Sequence, residues 1–463
     1  MTNKVFIFLP DGIGLRNFAF SDFYNLGIKD GFDIVYWNNT VFDLNALGLK
    51  EIRIRESKLH LFTDILKNAK IHISLNQFIR RTNDKVYDTY RFPLSNKDIK
   101  SKLKTTLTKG IIKQLDSQNG LKIISQQIKR LECNTSYYKK CLETLKKEKP
   151  IFVLCTNQRP ATAIAPLLAA QELGIPTATF IFSWDNLPKA TMVVETDYYF
   201  VWSTHMKNEL MFYYPHIKEN QIFISGTPQF EAHFDKSKLL SREAFFEQYG
   251  LDNKKKYICY SGDDITTCPD DPKYLEDLAL AVQKLNENGF NLGIVFRRCP
   301  VDFSSRFDEV LSIYNRIIIP IAPKWESKGD LWNTILPTQD DITLQMNTIA
   351  HSEMVVNLGS SMVFDYVAFG KPCVYINYDV SNKVLSSWSV KKIYNFVHFR
   401  SMLNKEVVIW LNKKDEIASK IENALVDSKS TIENAEKWFK IINQDPPQQA
   451  SQRIWNNIKT IIK

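Results

Sequence analysis

The chain has no apolar run of the ~18–20 residues that a membrane span requires, so no transmembrane segment is expected. Its start, MTNKVFIFLPDG, carries one Lys and a short apolar run, VFIFL, that passes straight into Asp11-Gly12. Such a run is too short for a signal-peptide core and reads as a first buried strand. The seven cysteines (133, 141, 155, 259, 268, 299, 373) are odd in number and never spaced as CxxC. Cys155, Cys259 and Cys373 lie inside strand-like apolar runs, which suits reduced core thiols of a cytoplasmic protein. The seven His show no metal-ligand spacing. Neither a protein-bound metal nor any other cofactor is therefore expected. No short-period repeat, low-complexity segment or nucleic-acid-binding motif is present, so nucleic acid is not an expected partner.

What is present is an ordinary globular composition, with 44% hydrophobic and 24% charged residues over 463 positions. That length suits two domains, each large enough to bury its own core. The net charge of +9 is unevenly placed. Residues 100–150 hold 13 Lys/Arg against 4 Asp/Glu, a surplus equal to that of the whole chain. A solvated helical face accounts for such a run. So does attraction to an acidic partner, which suggests peripheral contact with the anionic inner face of the cell membrane.

Short apolar runs alternate with helix-compatible segments along the whole chain. Strands are expected at Val5–Leu9, Phe32–Trp37, Ile151–Cys155, Thr177–Phe182, Tyr198–Trp202 and Gln221–Ser225. A second series follows at Tyr257–Ser261, Leu292–Phe296, Ile317–Ile321 and Val355–Asn357. Helices are expected at Leu59–Ile65, in a basic block over about 97–148, at Ala161–Gly174, near 236–250, at about 272–288 and 342–351, and through most of the tail from 414. This is the pattern of α/β architecture with two doubly wound Rossmann-like sheets. The expected domains are 1–225 and 226–445, with a last helix over 446–463 crossing back to the first. Ligands of such sheets gather at the carboxyl ends of the strands, where the sequence places Asp11, Asn157, Asp185, Asp263, Arg297, Ser360 and Ser361.

The segment VVNLGSSMVFDYVAFGKPCVYINYD, Val355 to Asp379, carries the sharpest signal. An apolar strand stops at Asn357; Gly359, Ser360 and Ser361 form a small-residue turn; a helix carries Asp365; Gly370-Lys371-Pro372 ends it before the next strand. A helix opening on Gly-Ser-Ser offers backbone N–H groups and a positive dipole end to a phosphate or pyrophosphate. Asp365, one turn on, is placed to accept bonds from ribose hydroxyls. Tight packing of the turn and a solvated Asp365 would produce the same residues.

The run from Leu336 to Pro372 resembles the donor segment of GT-B glycosyltransferases, in which two Rossmann-like domains face a cleft and the C-terminal one binds a sugar nucleotide. In that family a Pro-Gln region holds the base, a His-x-Gly turn follows, and a ribose-binding carboxylate lies eight residues after the His. Here the His position is Asn357, the Gly is Gly359 and the carboxylate is Asp365. The Ser360-Ser361 turn is also similar to that of glycerophosphotransferase-like proteins, and FSWDNLPK (182–189) and ISGTPQFEAHFD (224–235) resemble bacterial surface-polysaccharide enzymes. The resemblance implies a metal-independent glycosyltransferase moving a sugar from a nucleoside diphosphate, UDP by preference, to a hydroxyl of a glycan or lipid-linked acceptor. It further implies that Arg297 steadies the diphosphate, that Gln339 meets the base, and that Asp11 or Asp185 is the general base. Two alternatives share the fold: transfer of a CDP-activated group, for which matching histidines in both halves are lacking, and UDP-sugar 2-epimerisation.

Overall fold

The structure is a computed structural model that describes residues 3–329 and 334–463. The chain divides into two compact units. One comprises residues 1–228 and 442–463, the other residues 229–441. Each is built on a parallel sheet.

In the first unit the strands are β1 (Lys4–Leu9), β2 (Asp33–Asn38), β3 (Glu51–Arg53), β4 (Phe152–Cys155), β5 (Thr177–Phe180), β6 (Tyr198–Val201) and β7 (Ile222–Ile224). Their order across the sheet is β3-β2-β1-β4-β5-β6-β7, parallel throughout. Helices cover such a sheet on both faces, so its central strands read as unbroken apolar runs. Val5 to Leu9 and Phe152 to Cys155 are fully buried. Register pairs Phe6 with Val35 on one side and Val153 on the other.

Between β3 and β4 the chain inserts four helices, Thr63–Thr82, Ile99–Leu115, Gln118–Cys133 and Ser136–Glu148. Each of the last three starts at a side chain that caps an orphan backbone N–H: Asp98 on Ser101, Ser117 on Gly120 and Thr135 on Tyr138. The first of the four is a correction to the sequence reading, which ended a helix at Ile65. The buried stripe of Ile65, Ala69 and Ile73 keeps the helical period. It carries the helix to Thr82, where Asn83 closes it in the left-handed region at φ 52°.

The tail rejoins the first unit. Trp455, on the helix Ala450–Ile461, stacks between Phe23 at 4.7 Å and Phe32 at 4.8 Å and donates its indole N–H to the Phe23 carbonyl at 2.7 Å. Arg453 donates to the Ser225 carbonyl just after β7.

The second unit has β8 (Lys256–Ser261), β9 (Leu292–Arg297), β10 (Ile318–Pro320), a small antiparallel pair β11 (Glu326–Ser327) and β12 (Ile335–Leu336), then β13 (Val355–Asn357), β14 (Cys373–Ile376) and β15 (Ile409–Leu411). Its main sheet runs β10-β9-β8-β13-β14-β15, again parallel. The sequence reading did not separate β15 from the surrounding polar tail. The helix expected near 236–250 is shorter, Arg242–Tyr249, because Ser241 caps it and Gly250 ends it at φ 66°.

Candidate functional site

Both sheets reverse their strand order at one place, between β1 and β4 in the first unit and between β8 and β13 in the second. Loops at the carboxyl ends of strands flanking such a reversal diverge and leave a crevice for a ligand. Four loops therefore matter most: those after β1, β4, β8 and β13.

In the first unit these loops bring Asp11 and Asn157 together. Asp11 caps the short turn Gly12–Gly14, its Oδ1 accepting the Ile13 N–H at 3.2 Å. Its Oδ2 accepts from Asn157 Nδ2 at 2.7 Å. Asn157 is fixed in turn, because its Oδ1 accepts the Arg159 N–H at 3.1 Å. Asp11 is 7% exposed. Burial pushes its pKa up to about 6, against the opposing pull of the Ile13 and Asn157 donors and the Arg159 charge. A buried carboxylate held by neutral donors, titrating near neutrality, has the properties of a proton acceptor. Gly14 is required beside it, since a Cβ there would meet Thr156 Oγ1 at 2.3 Å.

Asp185, in the loop after β5, is placed differently. Its Oδ1 accepts from Ser183 Oγ at 2.6 Å and Asn186 Nδ2 at 2.7 Å, and its Oδ2 is ion-paired with Lys189. Two neutral donors and the Lys189 cation thus engage its oxygens. Asn186 also accepts from Gln158 at 3.0 Å, which ties this loop to the one after β4.

In the second unit the turn after β13 gathers four of the residues singled out in the sequence. Asn357 is fully buried, and its Oδ1 accepts the Ser360 N–H at 2.9 Å. Gly359 has φ +64°, and a Cβ there would lie 2.8 Å from Ile393. Ser360 Oγ accepts the Met362 N–H at 3.3 Å, and Tyr375 donates to the Ser360 carbonyl at 2.7 Å. The turn is thus held from three sides. The Ser360 N–H is not free for an anion, contrary to the sequence expectation, because Asn357 already occupies it. Ser361 opens the helix Met362–Val367 and makes no side-chain cap.

Asp365 is 5% exposed, and its Oδ1 lies 2.6 Å from His233 Nε2. His233, 5% exposed, comes from the short turn Pro228–Phe234 after β7. Arg297, at the end of β9, points its Nη2 at both oxygens of Asp341, at 2.9 and 2.7 Å. Asp341 also accepts the Lys324 N–H at 2.8 Å and the Trp325 indole N–H at 2.7 Å. The positive charge expected to steady a diphosphate is therefore matched in place, while Arg297 Nη1 stays buried without a partner. Gln339 is exposed on the first turn of the helix Gln339–Ala350. Among the described residues, neither Arg297 nor Gln339 bonds to the Gly359–Ser361 turn.

Asp263, in the loop after β8, has a buried Oδ2 with no partner. Burial and the neighbouring charges of Asp271 and Asp264 hold its pKa well above the usual carboxylate range. Asp271 takes the Tyr260 hydroxyl at 2.5 Å and the Asp263 N–H at 2.8 Å. Asp263 is therefore a carboxyl with a raised pKa at the second switch point. A cavity of about 600 Å³ in the first unit, lined by Lys70, Phe78 and Tyr213 among others, contains none of these residues. No group of His, Cys, Asp and Glu among the described residues is arranged to hold a metal.

Sequence reasoning missed His233 and Asp341 as the partners of Asp365 and Arg297. His233 lies in the GTPQFEAHFD stretch, where only its apolar neighbours Phe230 and Phe234 hint at burial. Asp341 shares a doublet with Asp340, and nothing local says which of the two turns inward.

No family model and no curated protein sequence matches this chain. Solved structures share its fold at low identity. A Listeria monocytogenes protein assigned as a UDP-N-acetylglucosamine 2-epimerase superposes with TM-score 0.56 at 12% identity, over 100% of this chain and 97% of that one. The UDP-N-acetylglucosamine 2-epimerase of Methanocaldococcus jannaschii gives 0.52 at 14% identity, over 99% and 100%. A glycosyltransferase of Rickettsia africae gives 0.52 at 13% identity, over 100% and 99%. The α/β architecture with two Rossmann-like units is the one these proteins have.

Proposed function

We propose that this chain is an enzyme acting on a nucleoside-diphosphate sugar, with UDP as the nucleotide, and that Asp11 is its proton acceptor. The observation that carries the reading is the Asp11 carboxyl itself. It is buried at a switch point, held by two neutral donors, and has a pKa raised to about 6. The Gly359–Ser361 turn of the second unit is the proposed diphosphate seat, through Ser361, whose side chain caps nothing, with Asp365 as the ribose acceptor.

Two reactions suit such a site. Epimerisation at C2 of a UDP-sugar requires one group to take the C2 proton and another to return a proton on the opposite face. Asp11, buried and titrating near neutrality, has the properties that the proton-accepting role needs. The names of the fold neighbours favour this reading. Glycosyl transfer requires one base, for the acceptor hydroxyl, and a leaving diphosphate. The resemblance of Leu336–Pro372 to a donor segment and the neighbouring glycosyltransferase favour that one.

Incubating the protein in deuterium oxide with UDP-N-acetylglucosamine and no acceptor separates them. An epimerase incorporates deuterium at C2 and yields the C2 epimer. A transferase leaves C2 unlabelled and releases UDP in quantity only when an acceptor is added. If the protein neither labels the sugar nor binds UDP in calorimetry, the assignment to nucleotide sugars is wrong.

A further inference from the structure

The helix Ile99–Leu115 packs Ile111, Ile112 and Leu115 of its C-terminal half against the core of the first unit, but its N-terminal half differs. Its buried polar positions are Thr105 and Thr108, whose hydroxyls are absorbed by the Ser95 and Lys104 carbonyls at 2.7 and 2.8 Å. In that half, apolar side chains at four-residue spacing face solvent. Ile99 is 87% exposed, Leu103 61% and Leu107 42%. Residues four apart lie one above another on a helix, so these three make a continuous outward stripe. Phe92, on the segment leading into the helix, is 65% exposed.

Lysines flank the stripe on both sides. At 100° per residue, Lys100 and Lys104 fall on one edge of it and Lys102, Lys109 and Lys113 on the other. None of the five is ion-paired among the described residues. Elsewhere in the inserted block Lys129 bridges to Glu195 and Lys140 to Glu56. Five of the positive charges of residues 100–150 thus lie beside exposed large apolar side chains.

Packing against the neighbouring helix Thr63–Thr82 explains the Thr face but not the Leu face. An isolated exposed Leu is common; three in register with Lys on both borders are not what a solvated face needs. A helix lying in the interface of an anionic bilayer has this layout. Apolar side chains enter the acyl boundary, and lysines alongside reach up to lipid phosphates while their stems stay among the lipids.

We propose that the helix Ile99–Leu115 docks the protein on an anionic lipid surface, with Ile99, Leu103 and Leu107 inserted and Lys100, Lys102, Lys104 and Lys109 on the headgroups. The surface belongs to the inserted helices, not to the switch-point loops, so docking stands or falls independently of the reaction catalysed.

The test is flotation of the full chain with vesicles of phosphatidylcholine alone and of phosphatidylcholine mixed with phosphatidylglycerol. Binding is expected only to the mixed vesicles and should fall steeply with salt. Ile99→Ser/Leu103→Ser/Leu107→Ser should lower it more than about tenfold without loss of thermal stability, since the replaced side chains are exposed. Each Lys→Gln change at 100, 102, 104 or 109 should lower it by about fivefold. A dye on Leu103→Cys should move to an apolar environment with the mixed vesicles; the seven native cysteines are buried or half-buried. This readout does not depend on the folding of the triple variant. Equal binding to both vesicles, wild-type binding by a folded Ser variant, or a dye that stays in water overturns the proposal. So does a wild-type dimer that the Ser variant disperses while neither binds vesicles, because the stripe would then join two copies of this chain.

Discussion

The two sheets reverse direction in the same way, yet the carboxylates beside the two reversals are in different electrostatic states. In the first unit Asp11 is buried with one N–H on each oxygen and no ion-pair partner among the described residues. In the second, Asp341 is matched by Arg297 and two further donors, and Asp365 by His233. A carboxylate short of stabilisation keeps its proton to higher pH and can exchange it near neutrality. A carboxylate saturated with donors holds shape. The difference is what motivates the proposed proton-accepting role of Asp11.

The comparison breaks first at Asp11. If it takes the proton, Asp11→Asn should lower turnover by roughly 10²–10⁴-fold while UDP affinity is retained, because the proposed nucleotide seat is in the other unit. Near-normal turnover in a folded variant would remove the role from Asp11. Asp185, with its Lys189 partner, would then need an explanation of how it sheds that pairing.

On the second side the largest effect is expected from Arg297→Met. Removing one member of a buried ion pair leaves the other charged and uncompensated, at a cost of about 3–5 kcal/mol. The lower end is expected, since Lys324 and Trp325 still donate to Asp341. Denaturant unfolding measures it. A loss below about 1 kcal/mol would mean that the pair is not structural, and that Arg297 is free to meet a diphosphate.

The raised pKa of Asp11 gives a third test. Its folded value of about 6 lies above the ordinary 3.8, so the folded state holds the proton more tightly than the unfolded chain. The resulting stabilisation is complete below about pH 4 and disappears as pH rises through about 6, roughly 3 kcal/mol in all. Wild type should therefore lose stability relative to Asp11→Asn over that window. Turnover should rise through the same window, because the ionised form is the base. A flat difference in stability between the two proteins from pH 4 to 7 would show that Asp11 is not perturbed.

The central strands of both sheets were legible because each is an apolar run bounded by turn formers, whereas the edge strands β3, with Glu51 and Arg53, and β15 were not. Long-range pairs were not legible. Asp365 finds its His233 132 positions away, and Arg297 its Asp341 44 positions away. No local pattern encodes either meeting. The helix Ile99–Leu115 was half legible: its charge stood out in the sequence, but the outward placement of Ile99, Leu103 and Leu107 did not.

The smallest expected effect asks most of the comparison, since it concerns a residue claimed for both positioning and binding. Asp365→Ala should weaken UDP binding by about 1–3 kcal/mol if its carboxylate also accepts from ribose. The same change strands His233, whose Nδ1 already has no partner, so some stability is lost whatever the ligand does. His233→Phe keeps a ring among Phe230 and Phe369 but takes the donor from Asp365. If Asp365 only orients His233, both variants and the double variant lose stability alike, and UDP affinity is untouched in all three. If Asp365 meets ribose, Asp365→Ala loses affinity, His233→Phe loses less, and the double variant matches Asp365→Ala. A coupling of about 0.5–3 kcal/mol in the affinity cycle is the range expected for touching residues. Calorimetric UDP affinity and unfolding free energy, measured on the same four proteins, separate the two cases. A cycle with stability coupling but no change in affinity would leave the second switch point as scaffold alone and move the nucleotide elsewhere.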